Sequence, residues 1–375
     1  MKLLDGVFRS EEQAIYSLRA LYKQYGYSLY KISKFEEYDL YAHNKNFLVS
    51  QNILSFTDTN GKLLALKPDV TLSIVKNVSD HETVTHKLCY NEHVYRTSAD
   101  SDGFREIMQT GLECIGQVDL YAECEVIMLA LRSLETIGND YILDLSHMGI
   151  IEGLLDEAGL DGADRGEIID LMGKKNHHAL SLLCERKQIS KEFCERLNAL
   201  IDLYLPVRQA MSILKTLVVG EKMQAAYTKL EQMLEILSAY DVENRLFLDF
   251  SIVNDVTYYD GVIFKGYING IPDSVLSGGR YDRLLERLGR KSGAIGFAVY
   301  LDRLAFLPDN RTEYDVDVVL VYDSKSNMSE VLTEQKRLLE EGKRVLLTSA
   351  ADPMVTYRQM IIWKNGGMET LETND

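Results

Sequence analysis

The hydrophobic positions of the chain change period several times, and each change marks a predicted element. From Glu11 to Tyr25 apolar side chains return at helical spacing, through Ile15, Leu18, Tyr22 and Tyr25, which predicts an amphipathic helix. Ser10, with Gln13 three residues on, has the form of a capping box. Gly26 ends the helix, and "YSLYKI" after it reads as a strand. Two alternating runs then flank "TDTNGK", where an Asn-Gly pair predicts a β-hairpin. Pro68 closes its second strand, and Asp69 is placed to cap the helix that follows.

Next come strands "KLCYNEHVYR" and "REIMQTGLECIGQ", with a predicted loop "TSADSDGF" between them and Arg96 and Arg105 at its roots. Beyond Asp119 the pattern is helical to Gly138, and "YILDLSH" is another strand. Residues 151–240 carry only helical periodicity and read as a separate insertion. Strands return with "RLFLDFSI" and "GVIFKGYINGI", where Asn269-Gly270 marks a hairpin turn. "SGGRYDRLLERLG" and "GAIGFAVYLDRL" follow, two glycine-rich turns around a helix, with Arg280, Arg283 and Arg303 as cations able to meet an anion. The tail differs in kind: strand "DVDVVLVYD", amphipathic helix "SEVLTEQKRLLEEGK" and strand "RVLLTS" predict a parallel βαβ unit. The expected division is a core of residues 1–310, interrupted by the insertion at 151–240, and an α/β appendage at 314–375.

Composition narrows the class of partner. Forty-one basic residues stand against 57 acidic ones, a formal charge of -16, so no general basic face is offered to a polyphosphate. Five cysteines, Cys89, Cys114, Cys124, Cys184 and Cys194, are scattered without C-x-x-C spacing. They are expected as buried thiols in a reducing compartment, with neither a disulfide framework nor a metal site. His177-His178 and the other histidines are not at metal-ligand spacing with acids. The N-terminus has no apolar stretch long enough for a signal peptide and no run approaches a membrane span, so a cytoplasmic protein is expected.

Several segments in fixed order resemble the catalytic core of class II aminoacyl-tRNA synthetases, and more narrowly the histidyl-tRNA synthetase family. They are the strand-loop-strand with arginine at its root, "QTGLECIG", "LALKPDVT", "TYYDGVIFKGY" and the glycine-rich pair above. The resemblance runs from about Phe8 to Leu307 and implies an α+β fold, an antiparallel sheet flanked by helices. Carried over by position, it puts Asp69 and Thr71 at the α-amino group of a bound histidine, with Gln109 beside them. Glu113 then faces the imidazole, Tyr258 and Tyr259 stand on its other side, and Gly278 and Gly279 let a strand pass close to the ligand. Singly, each has a plainer reading: Asp69 a helix cap, Glu113 a strand carboxylate turned to solvent, Tyr258 and Tyr259 sheet residues.

The chemistry of activation is altered where the family signatures are compared. Asn254 stands where the synthetase signature begins with arginine, with Asp255 beside it, and Tyr300 where a glycine borders the adenine. Thr97 and Ser98 replace a glutamate, Lys67 an arginine, Asp69 a longer acid, and Ser33 the proline of the first class II motif. Arg96, Arg105 and Arg303 are left as a remnant nucleotide or anion site. The short tail also leaves no room for a full anticodon-binding domain. The resemblance thus points to the synthetase-like regulatory subunits of ATP phosphoribosyltransferase. It implies no catalysis and no cofactor, a short-form catalytic subunit as partner, L-histidine as effector, and a homodimer within a hetero-oligomer. Neither tRNA nor membrane is expected as a partner. A divergent histidyl-tRNA synthetase or histidine-activating ligase, and a scaffold with a vestigial pocket, are the alternatives.

Overall fold

In the computed structural model the described residues are 9–48, 52–79, 84–98, 101–160, 162–240, 243–253, 258–307, 314–364 and 367–373. The chain divides into two compact units, one spanning Glu11–Leu307 and the other carrying Pro308–Asp375. In chain order the strands begin with β1 (Ser28–Leu29), β2 (Phe35–Glu37), β3 (Ser55–Thr57), β4 (Leu63–Leu66), β5 (His86–Ser98) and β6 (Ser101–Gly116). β7 (Tyr141–His147), β8 (Tyr204–Pro206), β9 (Leu246–Asp249), β10 (Val262–Ile268), β11 (Leu276–Arg280) and β12 (Gly293–Tyr300) follow. The second unit holds β13 (Val316–Tyr322), β14 (Val345–Thr348), β15 (Tyr357–Lys364) and β16 (Gly367–Thr373).

The first unit is built on a nine-stranded sheet of order β1-β5-β6-β12-β11-β10-β7-β9-β8. Its pairs are antiparallel except β1 with β5 and β7 with β9. One face is the core. Leu112, Phe297, Phe264 and Leu145 belong to one buried cluster with Leu18 and Tyr22 of the helix Ser10–Gln24 and with the helix Leu120–Ile137. The latter is buried along most of its length and begins at Asp119, whose carboxylate accepts from Ala122 N at 2.8 Å. Fit is close enough that a Cβ on Gly266 would meet Leu134 at 2.7 Å. The other face, through period-two alternation, carries the cavity described below. A three-stranded sheet, β2-β4-β3, stands beside it. The predicted hairpin is there, β3 paired antiparallel with β4 and Gly61 in the left-handed region at φ 80°.

Four local readings change. The predicted loop at 97–104 is largely strand, since β5 runs to Ser98 and β6 starts at Ser101, with Arg96 directly opposite Arg105. The insertion is not wholly helical: between its helices β8 pairs with β9 as an edge strand of the main sheet. Three residues are too few to show an alternation in sequence. The tail is more than a βαβ unit, having a four-stranded sheet of order β14-β13-β15-β16. β13 and β14 are parallel around the helix Met328–Glu340 as predicted, while β15 adds in parallel and β16 returns antiparallel. The cysteine reading also fails at one pair. Cys184 and Cys194 are joined as a disulfide, because the helices His177–Arg186 and Lys191–Asp202 form a hairpin that brings their Cα atoms to 6.6 Å. Cys89, Cys114 and Cys124 are buried free thiols.

Candidate functional site

Cross-strand register explains why a cavity opens on one face of the sheet. Glu113 of β6 lies opposite Gly296 of β12, which lies opposite Gly279 of β11. The next row on the same face runs Tyr90, Gly111, Ala298, Ser277 across β5, β6, β12 and β11. The row after that pairs Gln109 with Tyr300. Small residues thus pave the middle of this face, and large polar ones stand at its edges. Over this floor come Asp69, Val70 and Thr71 from the start of the helix Val70–Asn77, with Phe47, Leu48, Tyr258, Tyr259 and Tyr281. They enclose about 80 Å³, room for several waters where one needs about 10–15 Å³.

Glu113 is the centre of it. It is 1% exposed, and both its oxygens are taken: Thr71 donates to Oε1 at 2.6 Å and Tyr281 to Oε2 at 2.5 Å. Burial pushes its carboxyl up to about 8, against the pull of those two hydroxyl groups. At neutral pH it is therefore largely a neutral acid, able to donate to a bare ring nitrogen. Its position depends on Gly296, where a Cβ would stand 1.8 Å from Oε2. The reading of Glu113 as a solvent-facing carboxylate is excluded.

Asp69 does cap its helix, Oδ1 accepting from Leu72 N at 2.8 Å. Burial raises its carboxyl, while Arg96, whose guanidinium is 3.8 Å from Oδ2, pulls the other way. Any ammonium reaching Asp69 shares it with Arg96. Gln109 is 2% exposed, and its Nε2 has no hydrogen-bond partner among the described residues. A buried amide left so costs about 1–3 kcal/mol, and this one lines the cavity, so it supplies a donor to whatever enters. Tyr258 packs edge-on against Tyr259 at 4.8 Å and tilted against Tyr281 at 5.5 Å, an aromatic wall.

The sequence-derived site is thus partly assembled. Asp69, Thr71, Gln109, Glu113, Tyr258, Tyr259 and Arg96 line one cavity. Gly278 does not: it pairs with Phe264 and Phe297, and a Cβ there would meet Phe297 at 2.4 Å. Gly279 faces the cavity side, where its missing Cβ makes way for the Tyr259 ring. Arg303 bonds the Ser274 carbonyl and stacks its guanidinium 4.7 Å from the Tyr300 ring centre. Arg105 is exposed, and neither it nor Arg303 lines the cavity. Arg280 pairs with Glu123 and Asp282, and Arg283 with Glu152. Asn254 and Asp255 lie outside the described residues. Tyr300, in place of a glycine, puts a phenol on the cavity's edge. Tyr281, Tyr90 and Ser277 were not found by sequence reasoning, and for Tyr281 the only signal was its place directly after "GGR".

A nine-stranded, mostly antiparallel sheet with helices behind it and a polar cavity in front is the α+β architecture of class II synthetase cores. The histidyl-tRNA synthetase family profile matches residues 2–304. The relatives are more specific. An ATP phosphoribosyltransferase regulatory subunit of Clostridium kluyveri is 29% identical over 335 residues, 87% of this chain and 85% of that one. Its counterpart in Caldanaerobacter subterraneus subsp. tengcongensis is 30% identical over 291 residues, 76% of this chain and 75% of that one. Among solved structures, an ATP phosphoribosyltransferase regulatory subunit/histidyl-tRNA synthetase from Bacillus halodurans superposes with TM-score 0.78 at 22% identity, covering 94% of each chain. A chain of the ATP phosphoribosyl transferase (HisG:HisZ) complex from Thermotoga maritima gives 0.62 at 20% identity, over 78% of this chain and 97% of that one. The chain belongs to the histidyl-tRNA synthetase family, in the branch named ATP phosphoribosyltransferase regulatory subunits.

Proposed function

We propose that the chain is a non-catalytic regulatory subunit of ATP phosphoribosyltransferase. It assembles, as a homodimer within a hetero-oligomer, with a short-form catalytic subunit that condenses ATP with phosphoribosyl diphosphate in the first step of histidine biosynthesis. It is required for that activity and passes on feedback inhibition by histidine. The names of its relatives and the make-up of the Thermotoga maritima complex support the partnership. The observation that carries the effector is the cavity around Glu113, with an imidazole-compatible acid at its centre and the unpartnered Gln109 amide at its edge. Inhibition then follows by linkage: histidine held more tightly in one state of the complex shifts the population toward that state, and only the difference in affinity acts.

The test is phosphoribosyl transfer by a short catalytic subunit alone, then with this chain added, each with and without histidine. Activity that rises on mixing and falls with histidine is the expected result. Histidine-dependent exchange of pyrophosphate into ATP by the purified chain would instead establish a histidine-activating enzyme.

A further inference from the structure

The disulfide in the insertion joins two unlike cysteines. Cys194 is half-buried and lies in the first turn of the helix Lys191–Asp202, whose N-cap Ser190 accepts from Phe193 N at 3.2 Å. Cys184 is buried near the C-terminal end of the helix His177–Arg186, where its own carbonyl accepts from Ile189 N at 2.9 Å. Helix N-termini favour a thiolate and C-termini disfavour it. The two sulfurs therefore differ in reach, and once the bridge is reduced the helix ends favour a thiolate at Cys194 over one at Cys184. The remaining cysteines offer no competition. Burial raises all three thiols, Cys114 and Cys124 to about 12. Between the two bridged residues the turn Lys187–Ser190, with Gln188 in the left-handed region at φ 55°, forms one wall of a cleft of about 660 Å³ against Leu154, Ala158 and Phe193.

We propose that Cys184 and Cys194 form a reversible oxidation site, with Cys194 the attacking thiol, Cys184 the resolving thiol, and a small disulfide of the glutathione class as the oxidant. Cys194 loses its proton to solvent, and its thiolate attacks one sulfur of the external disulfide. That S–S bond breaks and one external thiolate leaves. Cys184, deprotonated in turn, attacks the Cys194 sulfur of the mixed disulfide, and the second external thiolate leaves. Two protein thiols are oxidised and one external disulfide is reduced to two thiols, which take up the two protons. The bridge closes the hairpin and fixes the turn that walls the cleft.

The experiment uses the full chain, fully reduced and then incubated with oxidised glutathione, with intact-mass and peptide-mass readout. Wild type should lose two hydrogens at Cys184–Cys194 with no glutathione retained. Cys184→Ser should hold one glutathione on Cys194, and Cys194→Ser should take up none at Cys184. Because serine variants can perturb packing, reduced wild type is also pulsed with iodoacetamide at pH 7, where Cys194 should be labelled about tenfold faster than Cys184. A wild-type mass unchanged by oxidised glutathione would overturn the site. Equal labelling of the two cysteines, or glutathione on Cys184 in the Cys194→Ser chain, would overturn the order of attack.

Discussion

Tyr281 donates its phenolic hydrogen to Glu113 at 2.5 Å, tying the segment after β11 to the middle of β6 across 168 positions of sequence. Removing that hydroxyl leaves a buried carboxyl oxygen without its donor while the ring still fills its place. Tyr281→Phe should therefore lower the unfolding free energy by about 1–3 kcal/mol, read from urea denaturation at pH 7. It should also reduce the thermal shift given by histidine. An unaltered urea midpoint would mean that the bond contributes nothing.

Two buried acids should make stability fall as pH rises from the ordinary carboxyl range to about 8. Glu113 is raised to about 8 and Asp144, buried beside Asp249, to about 7. For both, the folded chain binds the proton more tightly than the unfolded chain. Their contribution is complete below the unfolded carboxyl range and is lost as pH rises through 7 and 8. His147 has the opposite sign. Burial, with Lys229 and Arg280 nearby, lowers it to about 3, so the unfolded chain takes up its proton first and stability is lost as pH falls below about 6.5. Between pH 6.5 and 8 the unfolding free energy should drop by about 1.5 kcal/mol from Glu113 and by under about 1 kcal/mol from Asp144, most of whose contribution is already gone by pH 7. Glu113→Gln should flatten that limb, and His147→Asn the acidic one. Denaturation series at half-unit pH steps would show it.

Local chemistry was legible in the sequence and long-range pairing was not. The helix Ser10–Gln24, the hairpin at Gly61 and the Asp69 cap each depend on residues within a few positions of one another. The cavity residues came from segment resemblance, since periodicity could not say which face of β6 Glu113 would take. Gly278 and Gly279 show the limit: adjacent in sequence, they face opposite sides of the sheet, and only register separates them. β8 and the Cys184–Cys194 bridge depend on how the insertion's helices turn back, which no local pattern encodes.

Lys67 is a second buried point of tension. It is fully buried, and its ammonium pairs with Glu92 and donates to the Ser33 carbonyl at 3.2 Å. Glu92 in turn accepts from Ile32 N at 3.2 Å, so the pair pins the segment leading into β2. Lys67→Met leaves the Glu92 carboxylate without its cation and should cost about 3–5 kcal/mol. Lys67→Met with Glu92→Leu should cost clearly less, because no uncompensated charge remains. Urea midpoints of the two single variants and the double one decide this. A double variant no better than Lys67→Met would show that the pair's value lies in its geometry and not in its charge balance.

Gly296 is where fold and site coincide most tightly. A methyl there would come within 1.8 Å of Glu113 Oε2 and 2.4 Å of the Leu112 carbonyl. The first contact could be relieved by turning Glu113 away from Thr71 and Tyr281, but the second is to backbone in the paired strand. Gly296→Ala should therefore lose about 1–3 kcal/mol of stability or more, together with any histidine-induced thermal shift. Gly103→Ala, on the exposed start of β6 with none of the described residues within 4 Å of the added methyl, is the matched control. It should stay within about 0.5 kcal/mol of wild type. If Gly296→Ala kept its stability and still lost the histidine response, the floor would serve the ligand alone. If both variants matched wild type in both readouts, the close approach of β6 and β12 at this point would be wrong.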